Sequence, residues 1–134
     1  MVEFSYYDYS GYGYKRVLLM PQDMDLNETA VITLNASGNG TAKLGPLSAR
    51  ETWFPETASV KANTNPTNEA QCQLFVGNGP TQDNFRDATF SGSSGDASGK
   101  ITGRLPMNQY VWAVWSGGDA NVQAILTVVG RKTA

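Results

Sequence analysis

Three stretches of this sequence carry residue types that could do chemistry. Asp23-Met24-Asp25-Leu26-Asn27-Glu28 opens like a calcium loop, in which alternating oxygen-bearing side chains converge on one cation. Such a loop needs glycine at its sixth position and a carboxylate at its twelfth, and this chain has Glu28 and Leu34 there. The stretch therefore reads as a solvated acidic turn ahead of a strand, and no metal is assigned. Gly11-Tyr12-Gly13-Tyr14-Lys15-Arg16 starts like a dinucleotide fingerprint but lacks the third glycine and the strand and helix that would hold a pyrophosphate. The Ser-Gly cluster at residues 91–99 contains no Gly-x-Ser-x-Gly elbow. The chain has no histidine, which removes the commonest general base, the usual catalytic triads and histidine-ligated zinc. A glycosidase needs only two carboxyl groups about 5 to 10 Å apart. Nothing in the spacing of Glu51, Glu56, Glu69, Asp83 and Asp87 singles out such a pair. The expectation is a protein that is not an enzyme and holds no cofactor.

The aromatic residues offer binding rather than catalysis. Residues 1–14, MVEFSYYDYSGYGY, hold five of the six tyrosines, with Gly11 and Gly13 between them. Tyrosine brings large contact area, a polar tip and few rotatable bonds, and glycine lets the backbone bend. Phe4, Tyr6, Tyr7, Tyr9, Tyr12 and Tyr14 are accordingly the candidate partner-binding residues of an arm that docks on a neighbouring subunit; the plainer alternative is an ordinary first strand with a frayed end. Trp112 and Trp115 fall on opposite faces of one extended segment, so at most one lies in the core if the other face is solvated. An exposed tryptophan on a β-sheet can stack on a sugar ring. Trp112, Trp115 and Asp119 are therefore candidate glycan-binding residues, set against the more general demand for large side chains in cores and interfaces. Three N-x-[ST] triplets, beginning at Asn27, Asn35 and Asn39, read as turn chemistry in a chain rich in Asn, Ser and Thr.

The elements that must position these residues are short extended segments separated by turns, which suits a sandwich or barrel. Residues 17–20 form a candidate strand stopped by Pro21. Residues 29–35 alternate, with Ala30, Ile32 and Leu34 on one face, and a turn at 36–40 leads to 41–44, a pattern that predicts a hairpin. Residues 57–63 and 70–76 alternate likewise, the second with Ala70, Cys72, Leu74 and Val76 inward and Phe75 opposite. A single helical turn after Gly77-Asn78-Gly79-Pro80, an extended piece at 88–91, a flexible loop at 92–99 and a segment at 100–105 follow. Residues 109–115 and 121–129 then predict a C-terminal hairpin through the middle of the core, with Val122, Ala124, Leu126 and Val128 on one face. The fold class expected is all-β, a single antiparallel β-sandwich of jelly-roll-like form, with residues 1–20 as an extended Tyr/Gly-rich N-terminal arm and 21–134 as the sandwich domain.

Composition agrees. One hundred and thirty-four residues make one domain. Only 16% are charged, against a usual quarter or so, while Gly, Ser, Thr and Asn together supply 46 residues. A net charge of −2 gives no basic field for a nucleic acid. The single cysteine, Cys72, has no partner for an internal disulfide and reads as a buried small hydrophobe. The longest apolar run is far short of a bilayer span, and MVEFSYYDYS lacks the regions of a signal peptide. These features point to a protein made in a cytoplasm, with no membrane or nucleic-acid partner.

Several segments taken together resemble a family: Leu44-Gly45-Pro46, Trp53, residues 57–60, residues 72–77, residues 87–92, and residues 109–119 followed by Thr127-Val128-Val129-Gly130. Over about residues 44–130 this series resembles small virion proteins of tailed bacteriophages of actinobacteria, and Trp115-Ser116-Gly117-Gly118-Asp119, of the form W-[ST]-G-G-D, is its most distinctive piece. The first forty residues share no such pattern. The resemblance implies a structural role in the phage particle, as a minor tail or tail-tip component or a head-decoration protein, with other virion proteins and further copies of itself as partners. It brings no catalytic residues.

Overall fold

A computed structural model describes residues 23–62, 67–89, 94–96 and 101–133. Eight strands run through the described residues: β1 (Asp23–Thr33), β2 (Gly40–Leu44), β3 (Thr52–Lys61), β4 (Gln71–Gly77), β5 (Phe85–Thr89), β6 (Ser94–Asp96), β7 (Tyr110–Ser116) and β8 (Gln123–Thr133). They form two antiparallel sheets of order β1-β8-β3-β6 and β2-β7-β4-β5. The pairing β1 with β8, β2 with β7, β3 with β6 and β4 with β5 is that of one long hairpin folded double and rolled up. Rolling adds the contacts β3 with β8 and β4 with β7 that complete each sheet. This is the eight-stranded double-sheet jelly roll.

Strict alternation explains why these residues roll this way. Along β7 the pattern puts Val111, Ala113 and Trp115 inward and Tyr110, Trp112 and Val114 outward; along β8 it puts Ala124, Leu126 and Val128 inward. Leu26, Leu34, Trp53, Val60, Cys72 and Leu74 complete the apolar layer between the sheets, and no polar or charged residue is buried among the described residues. Burial pushes the Cys72 thiol up from 9.0 to about 12, against a smaller opposing pull from a backbone hydrogen bond at Val114. Pro55 is accommodated inside β3 because the register slips between Pro55 and Thr57, where the missing N–H has no ladder to break.

Several expectations are corrected. The predicted hairpins at 29–44 and 109–129 are not paired strands: β1 and β2 lie in different sheets, as do β7 and β8, and the turns between them cross from one layer to the other. β7 and β8 do hold the interior positions of their sheets. Residues 23–28 are strand, because β1 pairs with β8 over its whole length, while among the described residues no strand pairs with its other edge and Asp23, Asp25 and Asn27 are exposed. Asp23 accepts from Arg131 at 3.2 Å and Glu28 pairs with Lys132 at 3.6 Å. β3 starts at Thr52 and takes in Trp53 and Pro55. Residues 94–96, expected in a loop, pair with β3. Residues 101–105 are not a strand; Ile101 and Leu105 are buried and Leu105 makes an isolated bridge to Trp53. The helical turn is present at Gln82–Asn84. The arm and the candidate strand at 17–20 lie outside the described residues.

Candidate functional site

The register gives the sandwich two unlike ends. At one, here the closed end, lie the β1–β2, β3–β4 and β7–β8 connections. At the other, the open end, lie the start of β1, the β2–β3 and β4–β5 connections and the approach to β7.

The closed end is where the W-S-G-G-D stretch sits, and each of its residues has a structural task. Trp115 is fully buried in the core, its indole N–H without a hydrogen-bond partner among the described residues. Gly117 adopts φ 74°, a conformation glycine reaches without strain, and its N–H donates to Asn39 Oδ1 at 2.9 Å. Gly118 N–H donates to the Gly38 carbonyl at 3.0 Å, and the backbones approach so closely there that a side chain on Gly38 would overlap the Gly118 carbonyl. The Asp119 carboxylate accepts from the backbone amides of Thr67 and Asn68, both at 2.8 Å. Leu34 N–H donates to Val122 O and Asn121 N–H to Leu34 O. Asn35 Oδ1 accepts from the amides of Ser37 and Asn39, the side-chain turn that the N-x-[ST] triplet at Asn35 suggested. Three connections are thus bolted together by backbone donors that a polar side chain or a carbonyl satisfies.

The open end carries the reverse. Met24, Leu47, Phe85 and Met107 are all exposed there, Leu47 to 91%. Beside them, on the outer face of the β2-β7-β4-β5 sheet, the register aligns Lys43, Trp112, Phe75 and Phe85 in one row across four strands. Phe75 and Phe85 meet edge to face at 5.7 Å, and Tyr110 meets Trp112 likewise at 5.4 Å. Lys43 Nζ stands 4.4 Å from the Tyr110 ring centre and 5.2 Å from that of Trp112. Trp112 is half-buried, and its Nε1–H donates to the Gly77 carbonyl at 3.0 Å, which fixes the ring on the sheet. Phe75, expected on the outer face, is there but buried under Phe85 and Trp112.

Of the three candidate glycan-binding residues, only Trp112 presents its ring at the surface. Trp115 is in the core and Asp119, at the closed end, is engaged by the backbone amides of Thr67 and Asn68, so these three do not form one site. Phe4, Tyr6, Tyr7, Tyr9, Tyr12 and Tyr14 lie outside the described residues. Among the described residues no three His, Cys, Asp or Glu gather as a metal would require, and no helix is long and apolar enough to cross a membrane. Sequence reasoning missed Lys43, Phe75 and Phe85 as a row, since only the register brings them together, and missed the exposed Leu47 in the β2–β3 connection.

No protein-family model matches the chain, and no curated protein matches it. Among solved structures the chain is similar to one titled "Crystal Structure of FLHE", at 19% identity over 80% of this chain and 96% of that one, with a TM-score of 0.42.

Proposed function

We propose that this chain is a noncatalytic structural subunit of a bacteriophage particle, a minor tail, tail-tip or head-decoration protein that assembles through its N-terminal arm. One observation carries the assembly part: four of the six exposed large apolar side chains among the described residues, Met24, Leu47, Phe85 and Met107, lie at the end where β1 begins. Apolar side chains concentrated on one surface mark interaction sites, whereas scattered ones need no explanation. The virion part rests on the likeness of residues 44–130 to small phage structural proteins. The jelly roll supports it by analogy alone, since capsid and lectin domains both use that architecture and a fold does not dictate a function. The rival reading, a carbohydrate-binding module on the virion surface that contacts host glycans, now leans on Trp112, whose ring Lys43 overhangs.

The test is immunogold electron microscopy of purified particles of the encoding phage with an antibody against the recombinant protein. Gold on heads supports a decoration subunit and gold on tails a tail or tip subunit; particles without gold overturn the reading. Tryptophan fluorescence titrated with host cell-wall sugars addresses the rival, since stacking on Trp112 would shift its emission.

A further inference from the structure

We infer that residues 1–14 of a second copy of this chain dock on the outer face of the β2-β7-β4-β5 sheet, over Lys43, Trp112 and Phe85, beneath which Phe75 is packed, and out to the open end. The inference rests on the arm reading above and names the surface that receives it. Three features of the chain point to this occupant. The first is position and length. Twenty-two residues precede Asp23, which starts β1 at the open end, and a fully extended chain of that length spans up to about 70 Å. The sheets of a sandwich are only about 10 Å apart. Such a segment comes to lie on its own outer sheet face only by doubling back, but meets a neighbour set against the open end without reversal.

The second is chemistry. Phe4 and the five tyrosines match a row of aromatic rings that pack edge to face, the arrangement aromatic pairs favour. Residues 1–14 carry Glu3 and Asp8 and no lysine or arginine, while the row presents the exposed Lys43, with Arg86 exposed on the neighbouring edge strand. Opposite charges across the contact set its register. The third is size. Six aromatic side chains burying about 150 Å² each come to about 900 Å², near the roughly 800 Å² per partner of a stable interface.

Sedimentation velocity of the full chain, of a form lacking residues 1–14, and of three charge variants tests this. The full chain self-associates and the truncated form does not. K43E weakens association about fivefold or more, because attraction becomes repulsion. The double variant E3K/D8K weakens it similarly, and combining all three changes restores it towards the starting value. If truncation abolishes association but K43E leaves it unchanged, the docking surface is wrong while the arm reading stands. If the truncated form associates like the full chain, or the full chain stays monomeric at every concentration, the docking of one copy on another is overturned altogether. Lys43 is exposed, so circular dichroism of K43E checks that the fold is unaffected.

Discussion

The two ends of this sandwich are made of similar residues and do opposite things. At the closed end, asparagine, glycine and one aspartate tie three connections together: Asp119 to Thr67 and Asn68, Asn39 to Gly117, Gly38 to Gly118. At the open end the Leu105–Trp53 backbone pair, the Trp112–Gly77 bond and the Arg131–Asp23 ion pair also join distant parts of the chain, but Met24, Leu47, Phe85 and Met107 face water there. An uncharged, turn-rich composition therefore does not announce which end ties its connections together and which leaves apolar side chains exposed. What separates the two ends is the apolar surface: four large apolar side chains are exposed at the open end, and on the proposed reading that end receives a partner.

That contrast can be broken by substitution. The largest effect is expected from Gly38→Ala, where φ is 75° and the new methyl would overlap the Gly118 carbonyl. Urea unfolding should show a loss of about 3 kcal/mol or more; a loss under about 1 kcal/mol would mean the closed end is looser than its bonding implies. Next is pH. The Cys72 thiol ionises near 9.0 in the unfolded chain and about 12 in the folded one, so unfolding releases its proton first. Its contribution is complete below pH 9.0 and is lost as pH rises towards about 12, at up to about 1.4 kcal/mol per pH unit. Cys72→Ala should flatten the alkaline stability profile by that slope, and a thiol reagent should label the native protein only as it unfolds. Asp119→Ala removes the acceptor of two backbone amides and should cost about 1 to 2 kcal/mol without altering self-association. Leu47→Ser, at the open end, should leave stability within about 0.5 kcal/mol yet weaken association measured by sedimentation. Should Asp119→Ala impair association and Leu47→Ser impair folding, the roles assigned to the two ends are reversed.

The inward and outward faces of the strands were legible because side-chain alternation is a property of each strand alone: Ala30, Ile32 and Leu34, and Ala124, Leu126 and Val128, point where their spacing says. Sheet membership was not. A short Asn- and Gly-rich connection serves a hairpin and a crossing between layers equally well, and the choice at 34–39 is made by bonds to Gly117, Gly118, Asn121 and Val122, far along the chain. Charge misled at residues 23–28, since an edge strand keeps its acids in water while still pairing on its other side. Asp119 misled for a similar reason. A carboxylate in a glycine-rich turn resembles a ligand-binding group until Thr67 and Asn68 are seen to occupy it. The separation of Trp112 from Trp115 needed only the period of two, and holds.

On the proposed reading, the segment ahead of β1 serves assembly and not folding. That reading is tested most directly by supplying phage that lack the protein with either the full chain or the chain without residues 1–14, and measuring how much of each enters purified particles. The shortened chain is expected to keep its sandwich, with a Tm within about 3 °C of the full chain, and to be absent from the particles. A shortened chain that is incorporated as fully as the complete one would contradict it.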